Sequence, residues 1–122
     1  MFEKVAFTFY AVTDLKRARR FYEETLGLKV GPIYAHGDDK AWVEYDLPGG
    51  GCLAISNMTP AKPGAGGGTI ALEVSDREAL VARLEKAGVT FASKHIPSPV
   101  CDMSIITDPD GNDLILHQLK NK

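Results

Sequence analysis

The sequence predicts an α+β fold made of two tandem βαβββ modules that form a cupped mixed sheet. Three observations predict it: strand and helix patterns run through the same order twice, similar residues recur at a nearly constant offset, and a stretch rich in glycine and proline separates the two copies. The length of 122 residues suits one ordinary domain. We place its two modules at residues 1–56 and 69–122, with a linker at residues 57–68.

The first module begins with β-branched and aromatic residues at 5–12, which predict a strand. Thr13 and Asp14 then offer a helix N-cap, and apolar residues at helical spacing continue until Gly27, where glycine commonly ends a helix. Three further strands are predicted at residues 28–33, 41–47 and 52–56.

The second module repeats this order. Residues 69–74 predict a strand, and Ser75 and Glu78 have the spacing of a capping box before a helix that Gly88 ends. Strands are then predicted at residues 89–94, 103–107 and 113–119.

The repeat can be checked by its offset. The matching pairs are Asp14 with Asp76 and Asp46 with Asp108, each 62 residues apart, and Gly27 with Gly88, 61 residues apart. Half a chain of this kind cannot bury its sheet alone, so we expect the two copies to combine around a shared concave surface.

Composition excludes several classes of protein. A net charge of −2 with both signs interspersed provides no basic field for nucleic acid. No apolar run approaches the roughly 20 residues of a membrane span, so we expect no membrane partner. Cys52 and Cys101 match no metal or redox spacing, which indicates reduced thiols in a cytoplasmic protein.

Three motifs in this order resemble the vicinal oxygen chelate superfamily, the group of glyoxalases, bleomycin-resistance proteins and ring-cleaving dioxygenases. They are Phe9-Tyr10-Ala11-Val12-Thr13-Asp14-Leu15, then Phe21-Tyr22 with Leu26-Gly27-Leu28, and Asp108-Pro109-Asp110-Gly111-Asn112. The resemblance implies the duplicated fold and a homodimer. In members that are enzymes it also implies a divalent metal, held by His and Glu on the first and last strands of each module.

The positions that the resemblance assigns to those ligands carry Phe7 and Ala54 in the first module, and Thr69 and Ile115 in the second. Three of these side chains have no lone pair, and one neutral hydroxyl is a poor anchor for a metal. We therefore expect neither a metal nor any other cofactor.

The lining of the remaining cavity follows from strand alternation, in which every second side chain faces the same way. Apolar walls with a few polar groups are typical of a small-molecule pocket. The predicted ligand-binding residues are Phe7, Phe9, Trp42, Glu44, Ala54, Thr69, Glu73, Ser104, Ile115 and His117.

Each candidate also has a structural interpretation without function. Phe7 and Phe9 would close the cup into ordinary core, and Trp42 would pack in a dimer interface, where Trp is enriched. Glu44 and Glu73 would be solvated rim residues, and His117 an exposed residue near a strand end.

The sequence thus leads to one hypothesis and two alternatives. The first is a metal-free protein of the bleomycin-resistance type that sequesters a planar or aromatic compound. The second is a glyoxalase- or dioxygenase-type enzyme with an atypical divalent metal site, built for example from His117, Glu73 and either His36 or His95. The third is a structural dimer whose cup is packed shut.

Overall fold

The computed structural model describes residues 1, 3, 5–58, 64 and 68–120. The chain divides into two compact units, Met1–Pro63 and Gly64–Lys122. The division falls inside the predicted linker, most of which lies outside the described residues. Each unit holds a four-stranded mixed sheet and a helix, which confirms the predicted α+β class and the two tandem βαβββ modules.

The first unit has its strands in the order β1-β4-β3-β2. Strand β1 pairs with β4 in parallel, and the other neighbours are antiparallel. The elements are β1 (Thr8–Ala11), α1 (Leu15–Arg19), a π-helical segment (Arg20–Thr25), β2 (Ile33–Ala35), β3 (Ala41–Asp46) and β4 (Cys52–Ser56).

The second unit repeats that topology in the order β5-β8-β7-β6, again with the first and last strands parallel. Its elements are β5 (Ile70–Glu73), α2 (Arg77–Lys86), β6 (Thr90–Pro97), β7 (Cys101–Thr107) and β8 (Asp113–Leu119).

Both helices begin in the same way. The Asp14 carboxylate accepts a hydrogen bond from the backbone N–H of Arg17, and that of Asp76 accepts one from Ala79, each at 3.1 Å. Such caps satisfy amide groups that a helix leaves unbonded at its start. The cap of α2 is therefore Asp76, and the prediction of Ser75 in that role was wrong.

The strand predicted at residues 28–33 is also wrong, because only Ile33 belongs to the observed β2. The N–H of Gly31 donates to the backbone oxygen of Glu44 at 2.8 Å, and the backbone oxygen of Pro32 accepts from the N–H of Glu44 at 3.0 Å. Proline has no N–H to donate, so a continuous ladder with β3 starts only after it.

The core of each unit lies between its helix and one face of its sheet. In the first unit the rings of Tyr22 and Tyr45 stack 5.9 Å apart, and in the second unit Leu84, Ile106 and Leu116 are buried. Full burial of one such aliphatic side chain stabilises the folded state by about 1.5–3 kcal/mol.

Candidate functional site

The first unit presents an aromatic surface on the sheet face that its helix does not occupy. Tyr45 of β3 packs against Tyr22, so its neighbour Glu44 points to the other side. The strand register places Phe9, Ala54 and Glu44 side by side across β1, β4 and β3. These predicted site residues therefore share the open face.

Trp42 is the centre of this aromatic surface. Its ring stacks on Phe9 at a centroid distance of 5.1 Å and 12°, and Phe7 meets it edge-on at 5.1 Å and 85°. Strand β4 lies between the strands of Phe9 and Trp42, so the two rings can meet only where the side chains of β4 are small. Ala54 and Ser56 meet that need, and Ala54 is fully buried, so it supplies space rather than exposed surface.

Glu44 fixes the orientation of the indole. The Trp42 Nε1–H donates to a Glu44 carboxylate oxygen at 2.9 Å. This bond satisfies the polar group of a half-buried Trp and places a negative charge at the rim of the rings. The rim is therefore suited to a cationic substituent on a stacked ligand.

Tyr34 belongs to the same surface, and the sequence analysis missed it. The pairing of β2 with β3 sets Tyr34 directly beside Trp42, and Tyr34 is 58% exposed. A strand predicted at residues 33–35 would have identified it. In that strand, both neighbours of Tyr34 face the helix, so Tyr34 itself faces the other side of the sheet.

The second unit brings its predicted residues together on a face of different chemistry. Ala71 pairs with Ile115 and Glu73 with His117 along β5 and β8, while Thr69 is exposed just before β5. The residues of β7 beside Ile115 and His117 on this face are Ile105 and Met103. The surface is aliphatic, with the imidazole and one carboxylate near one end and the carboxylate of Asp113 near the other.

The imidazole and the carboxylate form a close pair. The His117 Nδ1 lies 2.6 Å from one Glu73 oxygen, and the other Glu73 oxygen accepts the backbone N–H of Leu119 at 2.9 Å. Both oxygens of Glu73 are thus engaged, which holds the carboxylate and the imidazole in one geometry.

Ser104 does not belong to this surface, so its predicted orientation was wrong. It pairs with Leu116 on the helix side and is fully buried. Its hydroxyl donates to the backbone oxygen of Lys94 at 2.7 Å and accepts from Arg77 Nη1 at 2.8 Å. A structural hydrogen-bond network therefore uses this side chain completely.

The error came from the offset between the repeats. The prediction applied 62 residues to Trp42, but the register makes Glu44 equivalent to Ile105, an offset of 61. The counterpart of Trp42 is therefore Met103. The hairpin turns give the same offset of 61. Leu47 makes the same two backbone hydrogen bonds in its turn that Asp108 makes in the other turn, so Leu47, and not Asp46, is the counterpart of Asp108.

The structure allows a test of whether the chain's residues fit the metal that the resemblance implies for enzymes. Ala54 and Ile115 hold equivalent places, each opposite the second residue of the module's first strand. They carry a methyl and a sec-butyl group, and with Phe7 and Thr69 they provide one neutral hydroxyl as the sole donor. This donor set does not fit a divalent metal ion.

The alternative set with His95 is not assembled either. His95 Nε2 lies 2.7 Å from Asp102, which neighbours Gln118 on the face opposite His117. Within residues 1, 3, 5–58, 64 and 68–120, no three His, Cys, Asp or Glu side chains form a group able to hold a metal ion.

A second feature that the sequence did not predict is an open cavity of about 750 Å³ on the helix side of the first unit. It lies between the start of α1 and the hairpin of β2 and β3. Its lining mixes both charges with a few apolar groups and includes Asp14, Arg19, Ile33, Asp38, Lys40 and Asn57.

A partly buried polar network lies beside this cavity. Glu23 accepts from Arg19 Nε at 2.7 Å and from the Tyr45 hydroxyl at 2.8 Å. Burial alone would raise the pKa of Glu23, but these hydrogen bonds outweigh it and hold that pKa below its ordinary value. Burial and the bond to Glu23 together raise the pKa of Tyr45 well above its ordinary value.

Comparison with known proteins gives a family match over residues 4–116, to the model described as the Glyoxalase/Bleomycin resistance protein/Dioxygenase superfamily. This match confirms the resemblance that the motifs indicated. A comparison with curated proteins gave no match.

Solved structures of similar fold include TnmS3, an antibiotic binding protein from Streptomyces sp. CB03234, with 26% identity and a TM-score of 0.81 over 98% of each chain. A superfamily member from Sphaerobacter thermophilus DSM 20745 has 26% identity and a TM-score of 0.78, covering 96% of this chain and 98% of that one. A domain from Frankia sp. EAN1pec, at 22% identity and a TM-score of 0.77, covers 99% of this chain and 95% of its own, and shows the fold alone.

Among the described residues, no helix has both the length and the apolar character to cross a bilayer.

Proposed function

The chain belongs to the glyoxalase/bleomycin resistance protein/dioxygenase superfamily, and we propose that it is a metal-free binding protein that sequesters a planar, aromatic small molecule without altering it. In this proposal the working unit is a homodimer in the cytoplasm. The observation that carries the proposal is the aromatic surface of Phe7, Phe9, Tyr34 and Trp42 on the open face of the first unit.

That surface is arranged before any ligand arrives. Trp42 is fixed by its bond to Glu44 and its stacking on Phe9, while Phe7 and Tyr34 remain 44% and 58% exposed. Stacking of one aromatic pair contributes about 0.5–1.5 kcal/mol beyond the area that it buries. A planar ligand would gain this from several rings without first having to order them.

Two further observations support the proposal. The chain is 26% identical to TnmS3, an antibiotic binding protein, across 98% of both chains. In enzymes of this superfamily, the resemblance places metal ligands at the positions that here carry Phe7, Ala54, Thr69 and Ile115. These side chains provide no donor set suited to a divalent metal.

Trp42 is the single tryptophan of the chain, so its fluorescence reports on this surface directly. We expect saturable quenching on titration with a panel of planar aromatic compounds, tighter for cationic members because of Glu44. We expect Glu44→Gln to reduce that cationic preference, and the compounds to be recovered unchanged by mass spectrometry. A panel that gives no saturable quenching would remove the proposal.

The strand β2 offers a matched pair of variants for locating the ligand. Tyr34 lies on the aromatic face, whereas its neighbour Ile33 lies on the helix side and lines the 750 Å³ cavity. We expect Tyr34→Ala to weaken binding by about three- to tenfold, the worth of one aromatic contact, and Ile33→Ala to leave it unchanged. The reverse result would move the ligand to the cavity and contradict the proposal.

The enzyme alternative is tested separately. Protein purified without chelator is expected to contain no stoichiometric divalent metal by elemental analysis. One metal ion per chain, together with chemical change of a bound compound, would favour a glyoxalase- or dioxygenase-type enzyme instead.

A further inference from the structure

The cavity on the helix side of the first unit has a counterpart in the second unit. The counterpart is smaller, with a volume of about 340 Å³ against about 750 Å³. Five lining residues of each cavity hold equivalent places near the helix start, the start of the third strand and the end of the last strand. They are Asp14, Leu15, Lys16, Ala41 and Asn57 in the first unit, and Asp76, Arg77, Glu78, Asp102 and Gln118 in the second.

The first residue of each helix contributes to this difference in size. Arg77 begins α2, is buried, and donates to Ser104 Oγ at 2.8 Å and to the backbone oxygen of Lys94 at 3.1 Å. Its side chain therefore occupies the space between the helix and the sheet of the second unit. Leu15 begins α1 at the equivalent place, and it is shorter and has no polar group to bond the sheet. The first unit keeps the space open.

The helix wall of the larger cavity offers an exposed cation. Three charged residues of α1 and its cap line the cavity, namely Asp14, Lys16 and Arg19. Asp14 caps the helix, and Arg19 is bonded to Glu23 at 2.7 Å. The Lys16 ammonium is exposed and takes part in neither of these interactions. It can therefore pair with an anionic group of a ligand.

The wall formed by the hairpin of β2 and β3 carries the opposite sign. Asp38 and Asp39 are adjacent and exposed, while the Lys40 ammonium donates to the backbone oxygen of Asn57 at 3.4 Å. Two carboxylates and one cation give this wall a net negative charge. The cavity therefore has an ammonium on one wall and carboxylates on the other.

Between the two walls the cavity is lined by aliphatic groups. Ile33 and Ala35 of β2 line it, together with Ala41 of β3. The Asn57 side chain is already bonded, because its Oδ1 accepts from the N–H of Ala41 at 3.1 Å and its Nδ2 donates to the backbone oxygen of Asp39 at 2.7 Å. This part of the cavity thus offers apolar contact, and none of the described residues that line the cavity is aromatic.

We propose that this cavity is a second binding site, for a short aliphatic molecule with a carboxylate at one end and an ammonium at the other. The carboxylate pairs with Lys16, the ammonium pairs with Asp38 and Asp39, and the aliphatic body lies on Ile33. A volume of about 750 Å³ suits a small-molecule site. Short peptides with free ends and long ω-amino acids share this chemistry. The site lies on the helix side of the sheet, so it does not depend on the proposed function of the aromatic face.

The experiment titrates isotope-labelled protein with two probes, the tripeptide Ala-Leu-Ala and 8-aminooctanoate, and follows backbone and indole N–H signals by NMR. Each probe is compared with its N-acetyl form, which lacks the ammonium, and its carboxamide form, which lacks the carboxylate. We expect the signals of Lys16, Gly37 and Asp39 to shift and that of the Trp42 indole, on the opposite face, to stay in place. Loss of either charge should weaken binding by about two- to fivefold, the worth of one exposed ion pair.

Matched variants assign each charge of the probe to one wall. Lys16→Gln should weaken the free probes by about two- to fivefold and leave the carboxamide forms unchanged. Asp38→Asn combined with Asp39→Asn should weaken the free probes likewise and leave the N-acetyl forms unchanged. Lys29→Gln removes the same charge from an exposed residue outside the cavity lining and should bind as wild type.

The outcomes separate this inference from the proposed function. Binding of one probe alone would assign the site to peptides or to ω-amino acids, and binding of both would support the shared chemistry. Equal affinity for charged and capped forms, equal losses in Lys16→Gln and Lys29→Gln, or a shift of the Trp42 indole without shifts in the hairpin would overturn the inference. Failure of both probes to bind would also overturn it and leave the proposed function in place, because planar aromatic compounds test that function on the other face.

Discussion

The two units of this chain share one topology but present different chemistry on their open faces. Both have a parallel pair of first and last strands at one edge of the sheet, an aspartate cap on the helix and a hairpin before the last strand. The first unit displays stacked aromatic rings around Trp42, and the second displays aliphatic side chains around the pair of His117 and Glu73. The comparison teaches that the repeat conserves backbone geometry while its outward side chains are free to diverge.

The helix sides differ as well. In the first unit α1 continues as a π-helical segment that carries Glu23, which bonds Tyr45 and Arg19. In the second unit α2 is regular, and its Arg77 bonds Ser104 and the backbone oxygen of Lys94. Each unit therefore has its own polar network between helix and sheet, partly buried in the first unit and buried in the second.

The largest difference in stability is expected between matched substitutions in the two hairpins. Asp108 is buried, and its carboxylate accepts from the N–H groups of Asp110 and Asn112 and from the Asn112 side chain, at 2.8–2.9 Å. Asp108→Ala removes all three bonds in a buried turn, so we expect the free energy of unfolding to fall by about 3 kcal/mol.

The control for that prediction is Asp46→Ala in the other hairpin. Asp46 is exposed, so the loss should stay below about 0.5 kcal/mol in urea unfolding. Equal losses in the two variants would show that the hairpins contribute alike and would contradict the comparison.

Substitutions in the two polar networks are expected to cost less stability than Asp108→Ala. Tyr45→Phe removes the hydroxyl that donates to Glu23, and Ser104→Ala removes the acceptor of Arg77. Each change should lower the free energy of unfolding by about 1.5–3 kcal/mol, the usual worth of a hydrogen bond to a charged group. A urea midpoint that does not move in one variant would mean that its network stabilises that unit little.

The smallest expected effect is on how stability depends on pH, and it differs between the two networks. Because the pKa of Glu23 is lower in the folded protein than in the unfolded chain, its contribution is present above the unfolded pKa and is lost as pH falls through the folded one. The side chains of the second network, Arg77 and Ser104, include no carboxyl group. Between pH 6 and pH 3 we therefore expect the stability of wild type to decline more steeply than that of Glu23→Gln.

The matched reference for the acid series is Ser104→Ala, which leaves Glu23 and its partners intact. Its stability should decline with the same slope as wild type. Parallel curves for wild type and Glu23→Gln would show that Glu23 does not couple stability to pH.

The sequence by itself determined the repeat, the fold class and most of the first unit's surface. Alternation along a strand is a local rule, so it correctly placed Phe9, Trp42 and Glu44 on one face once each strand was located. The same rule failed for Tyr34, because Gly31 and Pro32 delayed the start of β2.

The tertiary structure alone decided register and pairing. An error of one residue in the offset reverses the face of a side chain, which is why Ser104 was placed with the ligand-binding residues although it lies buried against Arg77. The pairing of His117 with Glu73 joins residues that are 44 positions apart and depends on the parallel register of β5 and β8. Sequence patterns set which way a side chain points within its strand, but only the assembled sheet sets which side chains meet.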